Sequence, residues 1–292
     1  MKASVITEAQ VRASLPPRLP DSHKGTYGRL IAVCGSSAFR GAASLCVEGA
    51  LRMGAGIVTL ASTERVIASV LAKRSECTCA PLPENESGGI AEEAGGTLYR
   101  LCRASTAVLC GCGMGNTPDT LALATLLLRT CPVPVLLDAD ALNVLAPDHS
   151  PLLAPHPPLV LTPHIGEAAR LTGKTAEEIK ADPAGTALGM AQRFRCTLVL
   201  KDHVTTVASP SGEVWENRTG NAGLARGGSG DLLAGMIASL LAQGTEPTAA
   251  ALCGVYLHGR AADLCAAERS MTGMLPSDAA EYLCRIFREW NR

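Results

Sequence analysis

Short apolar runs alternate along this chain with longer segments whose apolar positions recur every three to four residues. The runs at 29–34 (RLIAVC), 56–60, 106–110, 133–137, 159–161 and 196–200 read as buried strands, and most of them end in glycine or a polar residue. Helical periodicity covers 41–53, 63–72, 89–103, 118–129, 166–171, 231–242, 247–267 and 276–289. It also covers 175–194, with an interruption expected near Pro183, and a shorter stretch at 7–14 that breaks at Pro16-Pro17. Segments 203–208 and 213–217 predict a hairpin across Ser211-Gly212. Strands alternating with helices predict an α/β fold, a mostly parallel central sheet covered on both faces. The hairpin would add antiparallel strands at one edge. No linker, composition shift or internal repeat divides the chain, so 1–292 reads as a single domain.

Composition sharpens this picture. Hydrophobic residues make up 47% of the 292 residues, yet aromatics only 3%. The core must therefore be built of Ala, Leu, Val and Gly, which suits helices packed closely on a sheet. A net charge of −1 gives no reason to expect nucleic acid or an anionic membrane as a partner. No apolar stretch is long and charge-free enough to span a bilayer. The first fifteen residues carry charges and no apolar block, so no leader and a cytoplasmic location are expected. Twelve cysteines lie scattered through apolar runs and read as buried free thiols. Cys77-Thr78-Cys79 and Cys110-Gly111-Cys112 are too tightly spaced, and too short of further ligands, for a zinc site.

Chemistry gathers at the strand ends. In open α/β sheets ligands bind beyond the carboxyl ends of the strands. Here those ends carry Gly35-Ser36-Ser37, Gly111 to Gly115, Asp138 with Asp140 and Asn143, Thr162-Pro163-His164 with Glu167, and Lys201-Asp202-His203. The richest segment is Asn221-Ala222-Gly223-Leu224-Ala225-Arg226-Gly227-Gly228-Ser229-Gly230-Asp231, which opens the helix at 231–242. Amides freed by its glycines, with the positive end of the helix dipole, make an anion site. A carboxylate there is repulsive unless Asp231 takes a proton while the amides hold transferring charge. The plainer reading makes Ser229 or Asp231 a helix cap. His164 and Glu167, three residues apart, would share a helix face and orient a substrate or the water shell of Mg²⁺; a simple helix start is the alternative. Lys201 would reach a nucleotide phosphate or point into solvent. Gly111-Cys112-Gly113-Met114-Gly115 is a poor dinucleotide fingerprint but a good turn for close ligand approach. No G-x-x-x-x-G-K-[ST] occurs, which excludes a P-loop.

Taken in order, these segments resemble one family. The opening runs from His23-Lys24-Gly25 through Gly35-Ser36 and Gly41-Ala42-Ala43 to Gly54-Ala55-Gly56. Gly111 to Gly115, Asp138-Ala139-Asp140-Ala141-Leu142-Asn143, Thr162-Pro163-His164-x-Gly166-Glu167 and Asn221 to Asp231 follow. The family is the ADP/ATP-dependent (S)-NAD(P)H-hydrate dehydratases of the ribokinase-like superfamily. The resemblance implies a three-layer α/β/α ribokinase-like fold and a repair reaction that returns hydrated NAD(P)H to NAD(P)H. The C6 hydroxyl would be phosphorylated, with ADP giving AMP, and phosphate would then leave. It further implies Asp231 as general base and the amides of Gly228, Ser229 and Gly230 around the transferring phosphoryl group. Ala42, Gly113, His164 and Asp231 would contact the hydrated dinucleotide. Lys201, Asp202, His203, Val204, Thr205 and Gly230 would contact ADP or ATP, with Mg²⁺ as cofactor and Glu167 meeting it through water. A homo-oligomer, a tetramer in this family, is expected. Members are often fused to an N-terminal epimerase domain, for which no segment is expected here. A ribokinase-like kinase for a vitamin precursor is the alternative. The chain departs from the family pattern at Ile165, usually proline, at Asp202, usually glycine, and at Arg226, usually small or polar; Arg226 is placed to offset the charge of Asp202.

Overall fold

A computed structural model describes residues 3–292 and gathers ten strands into one sheet. They are β1 (Ser4–Val5), β2 (Arg29–Val33), β3 (Ile57–Ser62), β4 (Thr78–Pro81), β5 (Ala107–Cys110), β6 (Val135–Leu137), β7 (Leu159–Leu161), β8 (Thr197–Leu200), β9 (Thr205–Ala208) and β10 (Val214–Asn217). Their order across the sheet is β1-β10-β9-β8-β7-β6-β5-β2-β3-β4. From β4 to β8 every pairing is parallel; β8–β9 and β9–β10 are antiparallel. The hairpin forms as expected, but it is not the edge. β1 pairs in parallel with β10, and the Ile6 N–H donates to Glu216 O at 3.0 Å. Two residues are too few to show a period, which is why this strand left no pattern.

Each central strand alternates its side chains between two cores. Leu30 and Ala32 of β2 face one layer; Ile31 and Val33 face the other. The first layer holds helices Arg40–Arg52, Ser229–Ala242, Pro247–Arg269 and Pro276–Glu289. The second holds Gly95–Arg103, Pro118–Thr130, Asp140–Leu145, Ile165–Thr172 and Pro183–Arg193. The result is the three-layer α/β/α arrangement. Helices Ala176–Ala181 and Pro183–Arg193 meet at Asp182-Pro183, so the break falls where proline removes a donor.

Two expectations need correcting. The helix expected over 89–103 starts late. A 3₁₀ turn at Glu92–Ala94 precedes the helix Gly95–Arg103. Asn85 and Asp119 hold the chain there, accepting from the N–H groups of Gly89 and Glu92 at 2.8 Å each. The Cys77–Cys79 segment, for which no element was expected, supplies β4 at the far edge, where the missing N–H of Pro81 does no harm.

Small residues set the position of the glycine-rich helix. A side chain at Gly235 would meet Cys46 O at 2.1 Å, and one at Gly49 would meet Leu232 O at 2.3 Å. Helices Arg40–Arg52 and Ser229–Ala242 therefore touch backbone to backbone. All twelve cysteines are free, and no described helix is long and apolar enough to cross a membrane.

Candidate active site

The glycine-rich segment enters its helix through Gly228, which has φ 98° and no side-chain cap. A β-carbon there would also sit 2.4 Å from Leu45 Cδ1. Neither Ser229 nor Asp231 caps the helix, so the plainer reading of this segment fails. Ser229 Oγ is buried with no hydrogen-bond partner among the described residues. The helix runs Ser229–Ala242, two residues earlier than expected. Ser229 N–H is spent on Arg226 O at 3.3 Å, while those of Gly228, Gly230 and Asp231 have no acceptor among the described residues. The free donors for an anion are thus shifted by one residue from the expected set.

Beside this helix start lies a buried ion pair. Lys201 Nζ donates to Asp138 Oδ1 at 2.7 Å, and the same oxygen accepts from Thr162 Oγ1 at 2.8 Å. Asp138 ends β6, Thr162 ends β7 and Lys201 ends β8, three adjacent parallel strands. A β-carbon on Gly230 would lie 3.2 Å from Lys201 Nζ, so the glycine lets the ammonium lie close against the helix start. Burial acts against the Lys201 charge, but Asp138 and then Glu167 outweigh it and hold the ammonium above its ordinary value.

Asp231 projects from the first turn into this region. Burial pushes its carboxyl up to about 6, and the charge of Asp138 adds to the rise, against Cys112 and Lys201. A carboxyl poised there can both hold and release a proton near neutral pH. Behind it sit two thiols. Cys46, from the Arg40–Arg52 helix, and Cys112, from the turn after β5, bring their sulfurs and an Asp231 oxygen within 4.8 Å of one another. Cys112 Sγ also donates to Asp138 Oδ2 at 3.5 Å.

Gly113 has φ 65°, and a β-carbon there would lie 2.7 Å from Phe39 Cβ and 2.8 Å from Ala42 Cβ. Ala42 and Gly113 thus make one smooth wall, flanked by Phe39, whose side is half exposed. On the opposite flank His164 pairs with Lys201 through a backbone bridge between their strand ends. His164 caps the helix Ile165–Thr172: its Nδ1 accepts from the Gly166 N–H at 2.9 Å, while Glu167 Oε2 accepts from the His164 N–H at 2.8 Å. This reciprocal capping box is the helix-start alternative realised. Burial lowers His164, with Lys201 assisting, and burial raises Glu167 to about 7. Asp202, His203 and Val204 follow Lys201 in the turn between β8 and β9. They line a cavity of about 390 Å³ with Lys180, Pro183, Thr206 and Glu216. Arg226 does not offset Asp202. Its guanidinium donates to Thr272 O at 2.9 Å and ties the glycine-rich loop to the turn before the last helix.

A family model for NAD(P)H-hydrate dehydratases matches residues 30–285. The chain belongs to the NAD(P)H-hydrate dehydratase family. It is 41% identical to the bifunctional NAD(P)H-hydrate repair enzyme of Moorella thermoacetica, over 97% of this chain and 54% of that protein. The chain thus spans about half the length of the bifunctional relatives it matches. It is 36% identical to the ADP-dependent (S)-NAD(P)H-hydrate dehydratase of Bacillus subtilis, over 97% of this chain and 98% of that one. The structure of a Bacillus subtilis ADP/ATP-dependent NAD(P)H-hydrate dehydratase, co-crystallised with ATP/Mg²⁺, superposes with a TM-score of 0.84 at 32% identity, covering 99% of both chains.

Two groups of residues escaped the sequence reading. Asp138 was seen as a strand-end acid, but its pairing with Lys201, 63 positions away, needs the sheet order to appear. The second group secures the loop before Gly227. Asn217 Nδ2 donates to Val255 O at 3.1 Å, Thr219 Oγ1 donates to Tyr256 O at 2.9 Å, and Asp263 accepts from Gly220 N–H and Asn221 Nδ2 at 2.9 and 3.0 Å. The only signal for it was polar residues inside an otherwise apolar helix, Pro247–Arg269.

Proposed function

We propose that this chain returns (6S)-hydrated NAD(P)H to NAD(P)H at the expense of a nucleotide, ADP giving AMP and phosphate. The observation that carries the reading is Asp231, its carboxyl raised to about 6 in the first turn of a helix whose free N–H groups adjoin Lys201. Asp231 takes the proton of the C6 hydroxyl, and that oxygen attacks the terminal phosphoryl group. The amides of Gly228, Gly230 and Asp231, with the Lys201 ammonium, hold charge on the moving phosphoryl oxygens. Phosphate then leaves with the C6–O bond pair, a proton leaves C5, and the ring double bond returns. Asp138 and Thr162 hold Lys201 in place for this role.

The wall of Ala42 and Gly113, with His164 opposite, suits the dinucleotide, and Lys201 to Thr205 with Gly230 suit the nucleotide. Glu167 has one oxygen on the His164 N–H and the other 3.4 Å from His164 Nε2, so it would reach a bound Mg²⁺ through water. Bound with the nucleotide, Mg²⁺ would neutralise phosphate charge. Its hard-oxygen preference excludes the Cys46 and Cys112 sulfurs as its ligands. One Bacillus subtilis relative is ADP-dependent and the superposed structure is that of an ADP/ATP-dependent enzyme, which supports ADP and ATP alike as donors. One ribokinase-like domain, working in the cytoplasm as a homotetramer, completes the proposal; light scattering tests the assembly.

The purified chain should restore dihydronicotinamide absorbance from hydrated NADH with Mg²⁺ and either ADP or ATP. Nucleotide consumption on a hydroxymethylpyrimidine or hydroxyethylthiazole, without that restoration, would make it a kinase instead.

A further inference from the structure

We propose that Cys46, Cys112 and Asp231 form a binding site for a thiophilic divalent ion, Zn²⁺ or Cd²⁺, that switches the catalytic base off. The metal site stands on geometry alone; only its inhibitory consequence rests on the function proposed above.

The two sulfurs and the carboxylate oxygen all lie within 4.8 Å of one another. Tetrahedral zinc with bonds of about 2.3 Å to sulfur needs its sulfurs about 3.8 Å apart. A small side-chain adjustment therefore brings the three atoms onto one ion. The scaffold holding them is stiff. Cys46 sits where its helix touches the Ser229–Ala242 helix backbone to backbone, and Cys112 O accepts from the Gly35 N–H at 2.8 Å. Asp231 is partly exposed and is the way in from the cleft, whereas both thiols are fully buried behind it.

Burial normally keeps such thiols protonated, and Cys46 is raised well above its ordinary value by burial first and by Cys112 and Cys34 next. That does not oppose the exchange. Two thiol protons leave as one dication arrives, so the charge of the buried cluster is unchanged. The donor set of two sulfurs and one carboxylate favours soft or borderline ions over Mg²⁺. Three protein ligands leave a fourth position facing the cleft. With its oxygen on the ion, Asp231 cannot accept the proton of a substrate hydroxyl.

The test uses the full chain, reduced and freed of metal, with the more accessible Cys79 and Cys284 replaced by serine. Cadmium titration should produce a near-ultraviolet thiolate-to-metal absorption band that saturates at one ion per chain. Cys46→Ala and Cys112→Ala should each abolish most of it. X-ray absorption on the zinc-loaded protein, without those alanine substitutions, should show two sulfur neighbours at about 2.3 Å. Micromolar zinc should inhibit hydrate repair at least tenfold, and the Cys46→Ala chain should resist. A band of the same size in the Cys112→Ala chain, or a first shell without sulfur, would overturn the site. A sulfur-bound ion with full catalytic activity would overturn the switch and leave the site. If no repair activity exists at all, the cadmium band still reports the site independently.

Discussion

Replacing Asp231 by asparagine should remove activity and, at pH 8, stabilise the fold. Burial and the neighbouring Asp138 lift this carboxyl from an ordinary value near 3.8 to about 6. That difference corresponds to about 3 kcal/mol of folding free energy lost when the group must be ionised. The direction follows from the raised value. Below pH 4 the group is protonated in both folded and unfolded chains, so it carries no penalty. Between pH 4 and 6 the unfolded chain ionises first and stability falls. Above pH 6 the full penalty is present. Asparagine cannot ionise, so the variant should gain about 1–3 kcal/mol at pH 8, allowing for imperfect hydrogen bonding of its amide. The gain should shrink towards zero as the pH falls to 4. Turnover should drop on the order of 10²–10⁴-fold, the usual worth of a general base. Guanidinium unfolding of both chains across pH 4–8, alongside hydrate-repair kinetics, measures both effects. A variant that keeps near-normal turnover, or that is less stable than the parent at pH 8, would refute the reasoning. The result would place the base among residues whose function is held at the expense of stability.

Other outcomes follow from the same geometry. Lys201→Met leaves Asp138 buried and unpaired and should destabilise by about 3–5 kcal/mol in denaturant unfolding; adding Asp138→Asn should recover much of that without recovering activity. Gly113→Ala forces a residue with φ 65° and a β-carbon 2.7 Å from Phe39 Cβ. It should cost on the order of 1–3 kcal/mol and raise KM for the hydrated cofactor more than it lowers kcat. Arg226→Ala removes one bond to Thr272 O; steady-state kinetics should show a KM for nucleotide raised a few-fold, with stability lowered by about 1 kcal/mol or less. Repair by the parent chain should fall as the pH drops through about 6, where Asp231 takes up its proton.

The layers and nearly all the strands could be read from the pattern, because a parallel sheet buried on both faces writes its strands as continuous apolar runs. The hairpin could be read from its turn. What was missed lacks a local imprint. β1 is two residues long, and β4 ends in proline. The candidate site divides in the same way. Asp231 and the glycines advertise themselves within eleven neighbouring positions. Asp138, Thr162 and Lys201 become one constellation only when β6, β7 and β8 lie side by side. Cys46 and Cys112 read as two buried thiols among twelve, and only the contact between the Arg40–Arg52 and Ser229–Ala242 helices, with the turn after β5, sets them behind the base. Glu167 shows the opposite limit. Its spacing from His164 fits a metal shell and a capping box equally, and the hydrogen bonds show the capping box formed.

The central claim is that the C6 hydroxyl oxygen attacks a phosphoryl group with Asp231 as its base. Hydrated NADH carrying oxygen-18 in that hydroxyl tests it directly, with the released phosphate analysed by mass spectrometry. The account predicts that each repaired cofactor leaves its label in inorganic phosphate, and that Asp231→Asn abolishes the transfer. Repair with the label appearing in water instead would contradict it.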